Sequence, residues 1–251
     1  MPTCSTSQRR LALIAGVFWI ITFVASIPAL FLYGPLLNHA HYVLGGGADT
    51  RIAVGAFLEV ILAIAGIGTA VTMFPILKRQ NESLALGFIA SRVLESTVIV
   101  VGIISVLAVV TLRKDIGGSG AADPASLVLA GRSLVAIHKW TFLLGPGVCS
   151  GLGNGLLLGY LMYRSELVPR RMALLGLIGG PLLLASCTAV LFGAFKQTSG
   201  TAGLLTVPEF AWELSLGIYL IAKGFKTTSP VIDTPRTAAN GEVLTPVVAG
   251  A

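Results

Sequence analysis

The sequence predicts an all-α fold, a polytopic membrane helical bundle of about six transmembrane helices with its N and C termini cytoplasmic. Three observations carry that prediction. Of the 251 residues, 55% are hydrophobic and only 11% charged, against about 25% charged in ordinary soluble domains. Mean hydropathy is +0.87. Six stretches reach or approach the roughly 20 apolar residues that a spanning helix needs. A water-soluble globule is excluded, and the expected partner is the lipid bilayer. The formal charge of +6 does not point to nucleic acid, because the basic residues fall singly or in pairs and form no stripe.

The first stretch, Leu11 to Tyr33, follows Arg9 and Arg10 in the manner of a secretory signal. Its apolar run exceeds the roughly 7–15 residues of such signals and continues through Pro28 and Leu30 without a small-residue cleavage site. It therefore reads as a retained helix. The second, Arg51 to Leu77, and the third, Leu84 to Leu112, flank a basic hairpin loop, Lys78 to Ser83. The fourth, Ser133 to Tyr163, is too long for a straight span. Tilt, a kink at Gly145-Pro146-Gly147 or an interfacial lead-in is expected there. The fifth, Met172 to Phe195, follows a second basic loop, Arg164 to Arg171, and the sixth, Leu204 to Ile221, is the shortest.

Ten of the 17 Lys and Arg residues fall on the side of the termini and six on the other, with Arg92 inside a span. Positive residues are retained on the cytoplasmic side, which places both termini there. The expected organisation is a short cytoplasmic tail over 1–10, a six-helix domain over 11–223 and a flexible cytoplasmic tail over 224–251, rich in Thr, Pro, Val and Ala. A short likeness between Leu84-Ala85-Leu86-Gly87 and Ala173-Leu174-Leu175-Gly176 falls within what apolar helices share by composition, so no internal duplication is inferred.

Five blocks, 29–36 (ALFLYGPL), 74–82 (FPILKRQNE), 90–96 (ASRVLES), 165–171 (SELVPRR) and 208–213 (PEFAWE), together resemble a bacterial family of integral membrane proteins, domain of unknown function 4386. The likeness runs from Arg9 to Lys226. It implies a six-helix, multi-pass protein of the bacterial cytoplasmic (inner) membrane, and it transfers no catalytic residue, cofactor or mechanism.

Ionisable residues at membrane depth are costly and normally face the bundle or water with a partner. Six define a candidate intramembrane polar site: Glu59, Arg92, Glu95, His138, Lys139 and Glu213. Arg92 and Glu95, three apart, share a helix face about 15 Å from the inner loop. They read first as a structural ion pair and second as part of a transport site. Glu59 lies about 12 Å inside the outer end of the second span, with Lys139, His138 or Arg92 as its expected partner. Glu209 and Glu213 share a face four apart. Pro208 and the acid after it fit ordinary helix-start chemistry, which leaves the deeper Glu213 as the better functional candidate. Trp212 reads as an interfacial or packing aromatic.

His39, His41 and His138 are all expected on the outer side, where Glu209 or Glu213 would complete a metal or haem set. Solvated histidines in a mobile loop with Gly45-Gly46-Gly47, and a hydrogen-bonded His138, are the preferred reading, and no cofactor or metal is expected. The glycine-rich run from Gly145 to Gly155 lacks a Gly-Lys-Ser/Thr ending, so it is no phosphate loop. Gly147, Gly151 and Gly155 instead form a ladder for close helix approach. Pro146 frees a backbone carbonyl, Asn154 suits a hydrogen bond between helices, and Gly179-Gly180-Pro181 weakens the fifth span similarly. Cys4, Cys149 and Cys187 form no Cys-x-x-Cys pair and read as small apolar residues.

Three function classes stay open. Small-solute or proton-linked transport through the polar site leads. A non-enzymatic binding, sensory or accessory subunit is the alternative. A membrane enzyme or redox protein using outer His and Glu is the third, and no catalytic set supports it. A homo-oligomer or membrane partner and an unknown small-molecule ligand are compatible with all three.

Overall fold

A computed structural model describes residues 6–39, 41–45, 47–117 and 123–233. Six helices in it are long and apolar enough to cross a membrane. They are α1 (Thr6–Leu32), α2 (Asp49–Leu77), α3 (Glu82–Leu112), α4 (Pro124–Ser165), α5 (Arg170–Leu191) and α6 (Gly200–Ala222). Among the described residues there is no strand. Five of the six helices begin only two to five residues ahead of the expected apolar runs, and side-chain caps mark the starts of α3, α4 and α6. The Asn81, Asp123 and Ser199 side chains accept the backbone N–H of Leu84, Ser126 and Ala202 at 2.9, 3.0 and 3.2 Å, satisfying donors that a helix start leaves open. The fourth begins earlier still, at Pro124, nine residues ahead of Ser133. Pro124 at the first turn suits this start, since its missing N–H would have no helical partner there.

Each helix packs on its two chain neighbours, and α1 also packs on α6, so the six close into a ring. Polar residues turn inward and large apolar ones outward: Val24, Phe57, Ile64, Leu129 and Leu204 are exposed, whereas Thr69, Arg92 and Asn154 are buried. That distribution suits a lipid surround, where apolar surface needs no cover. The ring closes at Gly16, where an added Cβ would lie 2.8 Å from the Gly217 carbonyl oxygen. At the end with the termini, Arg9 donates to the carbonyls of Leu220 and Ile221 at 2.9 and 2.7 Å, occupying acceptors that the end of α6 leaves free.

The glycine ladder of α4 faces α5. A Cβ on Gly155 would stand 2.3 Å from the Gly180 Cα, and one on Gly151 would stand 3.1 Å from the Gly180 carbonyl oxygen. The expected break at Pro146 takes a particular form: α4 continues without interruption but widens into π-helix over Leu143–Cys149 and Gly151–Leu158. Proline has no N–H and crowds the preceding turn, and a wider turn relieves both defects without ending the helix.

Two loop expectations are corrected. The segment around His39 is packed over much of its length, with Tyr42 and Val43 buried. Arg113 ties it down by donating to Asp49 and to the Gly45 carbonyl. The tail after Gly224 is also packed as far as Asp233. Phe225 and Val231 enter the main apolar cluster, and Lys226 N–H and the Ser229 hydroxyl donate to the carbonyls of Leu167 and Ser165. Residues 234–251 of the expected flexible tail, and residues 1–5, lie outside the described residues.

The α4–α5 contact admits no side chain at Gly155. Gly155→Ala is expected to cost about 1–3 kcal/mol through overpacking and to lower the unfolding temperature in mild detergent. Gly203→Ala, with nothing within 4 Å of its added methyl, should leave that temperature unchanged or raise it. Equal unfolding temperatures for the two variants would refute the close approach.

Candidate functional site

Several of the buried and half-buried polar side chains line one cavity of about 150 Å³ inside the ring. Five of the six helices line it: α1 through Thr22 and Ser26, α2 through Glu59, α3 through Arg92 and Glu95, α4 through Pro146 and Ser150, and α6 through Glu213.

On α3, spacing of three brings Arg92 Nη1 to 2.6 Å from Glu95 Oε2. Arg92 Nε donates to the Gly66 carbonyl at 3.2 Å, and the guanidinium lies 5.2 Å from the ring centre of Trp19. Gly66 makes this possible, since a Cβ there would come within 3.1 Å of Arg92 Nη2. One α3 side chain therefore grips α1 and α2 together. Ser96 adds a hydrogen bond to the Ala63 carbonyl at 3.0 Å.

The partner of Glu59 is Tyr33, whose hydroxyl donates to Oε2 at 2.9 Å. Of the partners expected from the sequence, His138 stands nearby, its ring edge-to-face with Tyr33 at 5.2 Å between centroids. A void of about 10 Å³, lined by Glu59, Gly102, His138 and Thr141, separates the two. That is close to the smallest space that holds one water. Glu59 lines both this void and the main cavity. Lys139 is exposed on the other side of α4 and lines neither.

Across the cavity, Glu213 Oε1 accepts from Ser150 Oγ and from Asn154 Nδ2, both at 2.7 Å. Two α4 residues four apart thus hold one α6 carboxyl. Trp212 is fully buried and donates from Nε1 to the Asn154 carbonyl at 2.9 Å, so of its two expected roles it takes packing.

Glu209 departs from its expected role. The sixth helix begins at Gly200, so Pro208 and Glu209 lie well inside it and not at its first turn. Glu209 is 2% exposed, and neither carboxyl oxygen has a hydrogen-bond partner. It packs against the glycine seam, where a Cβ on Gly155 or Gly179 would stand 2.7 or 2.8 Å from Oε2. Asn154 Oδ1 on the same seam is a second buried acceptor without a donor. The spacing of four between Glu209 and Glu213 was the available sequence signal; Tyr33, Trp19 and Gly66 gave none, because no local spacing links them to Glu59 or Arg92.

Among the described residues, no three His, Cys, Asp or Glu side chains are close enough to hold a metal ion. His39 and His41 are exposed, and Cys149 and Cys187 are free thiols. Chemically, the cavity offers three carboxyl groups, one guanidinium and several hydroxyls, a set suited to binding cations or exchanging protons.

Fold and site together define a multi-pass α-helical membrane protein with a polar cavity enclosed by its helices. A family model described as domain of unknown function (DUF4386) matches residues 14–224, and the chain belongs to that family. No curated protein and no solved structure matches the chain.

Removing one member of a buried pair strands the other. Arg92→Met is expected to cost about 3–5 kcal/mol. Arg92→Met combined with Glu95→Met should cost clearly less than the sum of the two single changes. A double-mutant cycle on unfolding temperatures checks this, and additivity would show that the pair is energetically uncoupled.

Proposed function

We propose that this protein carries out small-solute or proton-linked transport through its polar intramembrane cavity. The observation that carries this reading is the position of Glu59, which lines both the main cavity and the one-water void beside His138. A carboxyl group shared by two cavities can take a proton from one and release it to the other. The cavity's volume, about 150 Å³, is below the roughly 300–1,000 Å³ of pockets that take drug-sized ligands. That size favours protons or a small cation over a bulky solute. The excess of carboxyl groups over the single Arg92 favours positive charge. An ionisable cluster inside apolar helices is also the pattern by which intramembrane pathways for ions and protons are recognised.

The test is flux into vesicles reconstituted with the purified protein and filled with a pH-sensitive dye, read under an imposed proton or methylammonium gradient. Wild-type protein should pass one of them. Glu59→Gln and Glu213→Gln should each cut the flux at least tenfold without changing the unfolding temperature, because the amide keeps an acceptor for Tyr33 or for Ser150 and Asn154. Wild-type vesicles that pass neither, or variants that match wild type, would overturn the reading. The first result would favour an accessory role.

A further inference from the structure

A basic concavity lies away from the polar cavity, at the end of the bundle opposite the termini. It has a volume of about 320 Å³, at the lower limit of roughly 300–1,000 Å³ for ligand pockets. One wall is a face of α4, where Arg132, Val135, Ala136 and Lys139 recur at helical spacing. The other wall is the segment after α1, with Asn38 and His39 at its rim and Val43 against the helix. The walls meet at Gly131, where an added Cβ would rest in ordinary contact with Val43 at 3.5 Å.

The charge of this pocket is unbalanced. Its lining holds Arg132, Lys139 and His39 and no carboxylate. Among the described residues, Arg113 and Lys114 at this end pair with Asp49, whereas Arg132 and Lys139 make no ion pair or side-chain hydrogen bond. Two cations and an imidazole thus line a cleft whose other walls combine Asn38 and Tyr42 with aliphatic side chains such as Val43 and Val135. The depth is informative as well. Lys139 lies 26 residues before Ser165, where α4 ends, so at ~1.5 Å per residue it stands at most about 39 Å from the opposite interface. A bilayer's hydrocarbon is about 30 Å thick and about 40–45 Å with head groups, so this upper bound is compatible with head-group depth for Lys139.

We propose that this pocket binds the phosphate head group of an anionic phospholipid, with Arg132 and Lys139 on the phosphate, Asn38 and His39 at its rim, and Val43 and Val135 against the first acyl carbons. A soluble anion would need the same cations but would gain nothing from apolar walls at head-group depth. Paired cations gain charge-assisted hydrogen bonds to a phosphate, roughly twice as strong as neutral ones. This inference does not depend on transport.

The test is native mass spectrometry of the detergent-purified full chain with added phosphatidylglycerol or phosphatidylcholine, beside thermal unfolding with each lipid and with inorganic phosphate. Phosphatidylglycerol should be retained at about one per chain and should raise the unfolding temperature. Arg132→Gln combined with Lys139→Gln should weaken that retention at least tenfold, while the lipid-free unfolding temperature stays at the wild-type value. Arg171→Gln, an exposed basic residue at the opposite end, should leave retention unchanged. Equal retention of phosphatidylcholine, equal loss in Arg171→Gln, or no loss in the double variant would overturn the proposal. Stabilisation by inorganic phosphate alone would replace the lipid by a soluble anion.

Discussion

A guanidinium enclosed by apolar helices must find acceptors for its donors, and most of this architecture follows from how Arg92 does so. Its five N–H groups form a fixed planar fork. Glu95 supplies a carboxylate from its own helix, and Gly66 supplies a carbonyl from the next. The indole of Trp19 covers its face from α1. Satisfying one side chain therefore sets the lateral spacing and relative height of three helices. Because Gly66 and Ser96 lie in this same contact, the α2–α3 register cannot slip without uncovering a buried charge.

The other half of the ring is held by different physics. α4 and α5 meet through glycine, so contact comes from backbone against backbone. The α4 contact with α6 is polar, from Ser150 and Asn154 to Glu213. The cavity lies where the ion-paired half meets the glycine-packed half, and it is walled by the first three helices together with α4 and α6. The π-helical widening of α4 relieves the defects of Pro146, and its two stretches flank Ser150 and include Asn154. The helix that is least regular is thus the one that supplies donors to the site.

Much of this was legible in the sequence. Six apolar runs predict six helices, and three-residue spacing places Arg92 beside Glu95. The four-residue glycine spacing predicts a close helix contact. What escaped was non-local or disguised. Tyr33 lies 26 positions from Glu59 and beyond the end of its own helix, so no periodicity links them. Pro208 looks like a first-turn proline, because Gly200 and Gly203 weaken the helical signal of the turns before it, and Glu209 was accordingly assigned to a helix start. Lys139 follows His138 directly, yet one residue along a helix is a rotation of about 100°, which carries it from the interior to the outside. The composition after Gly224 reads as loose chain, but Phe225 and Val231 join the main apolar cluster, and Lys226 N–H donates to the carbonyl of the distant Leu167.

The closure of the ring between α1 and α6 also constrains biosynthesis. The first helix enters the membrane with the Gly16 face, Trp19 and the Arg9 donors prepared for a neighbour made some 200 residues later. At ~5–20 residues per second, that partner arrives roughly 10–40 s afterwards. Until then, lipid or the insertion machinery must cover a groove shaped for another helix. The contacts that close the ring are therefore made by its first helix, and a ribosome that stalls before α6 leaves an open arc instead of a smaller closed bundle.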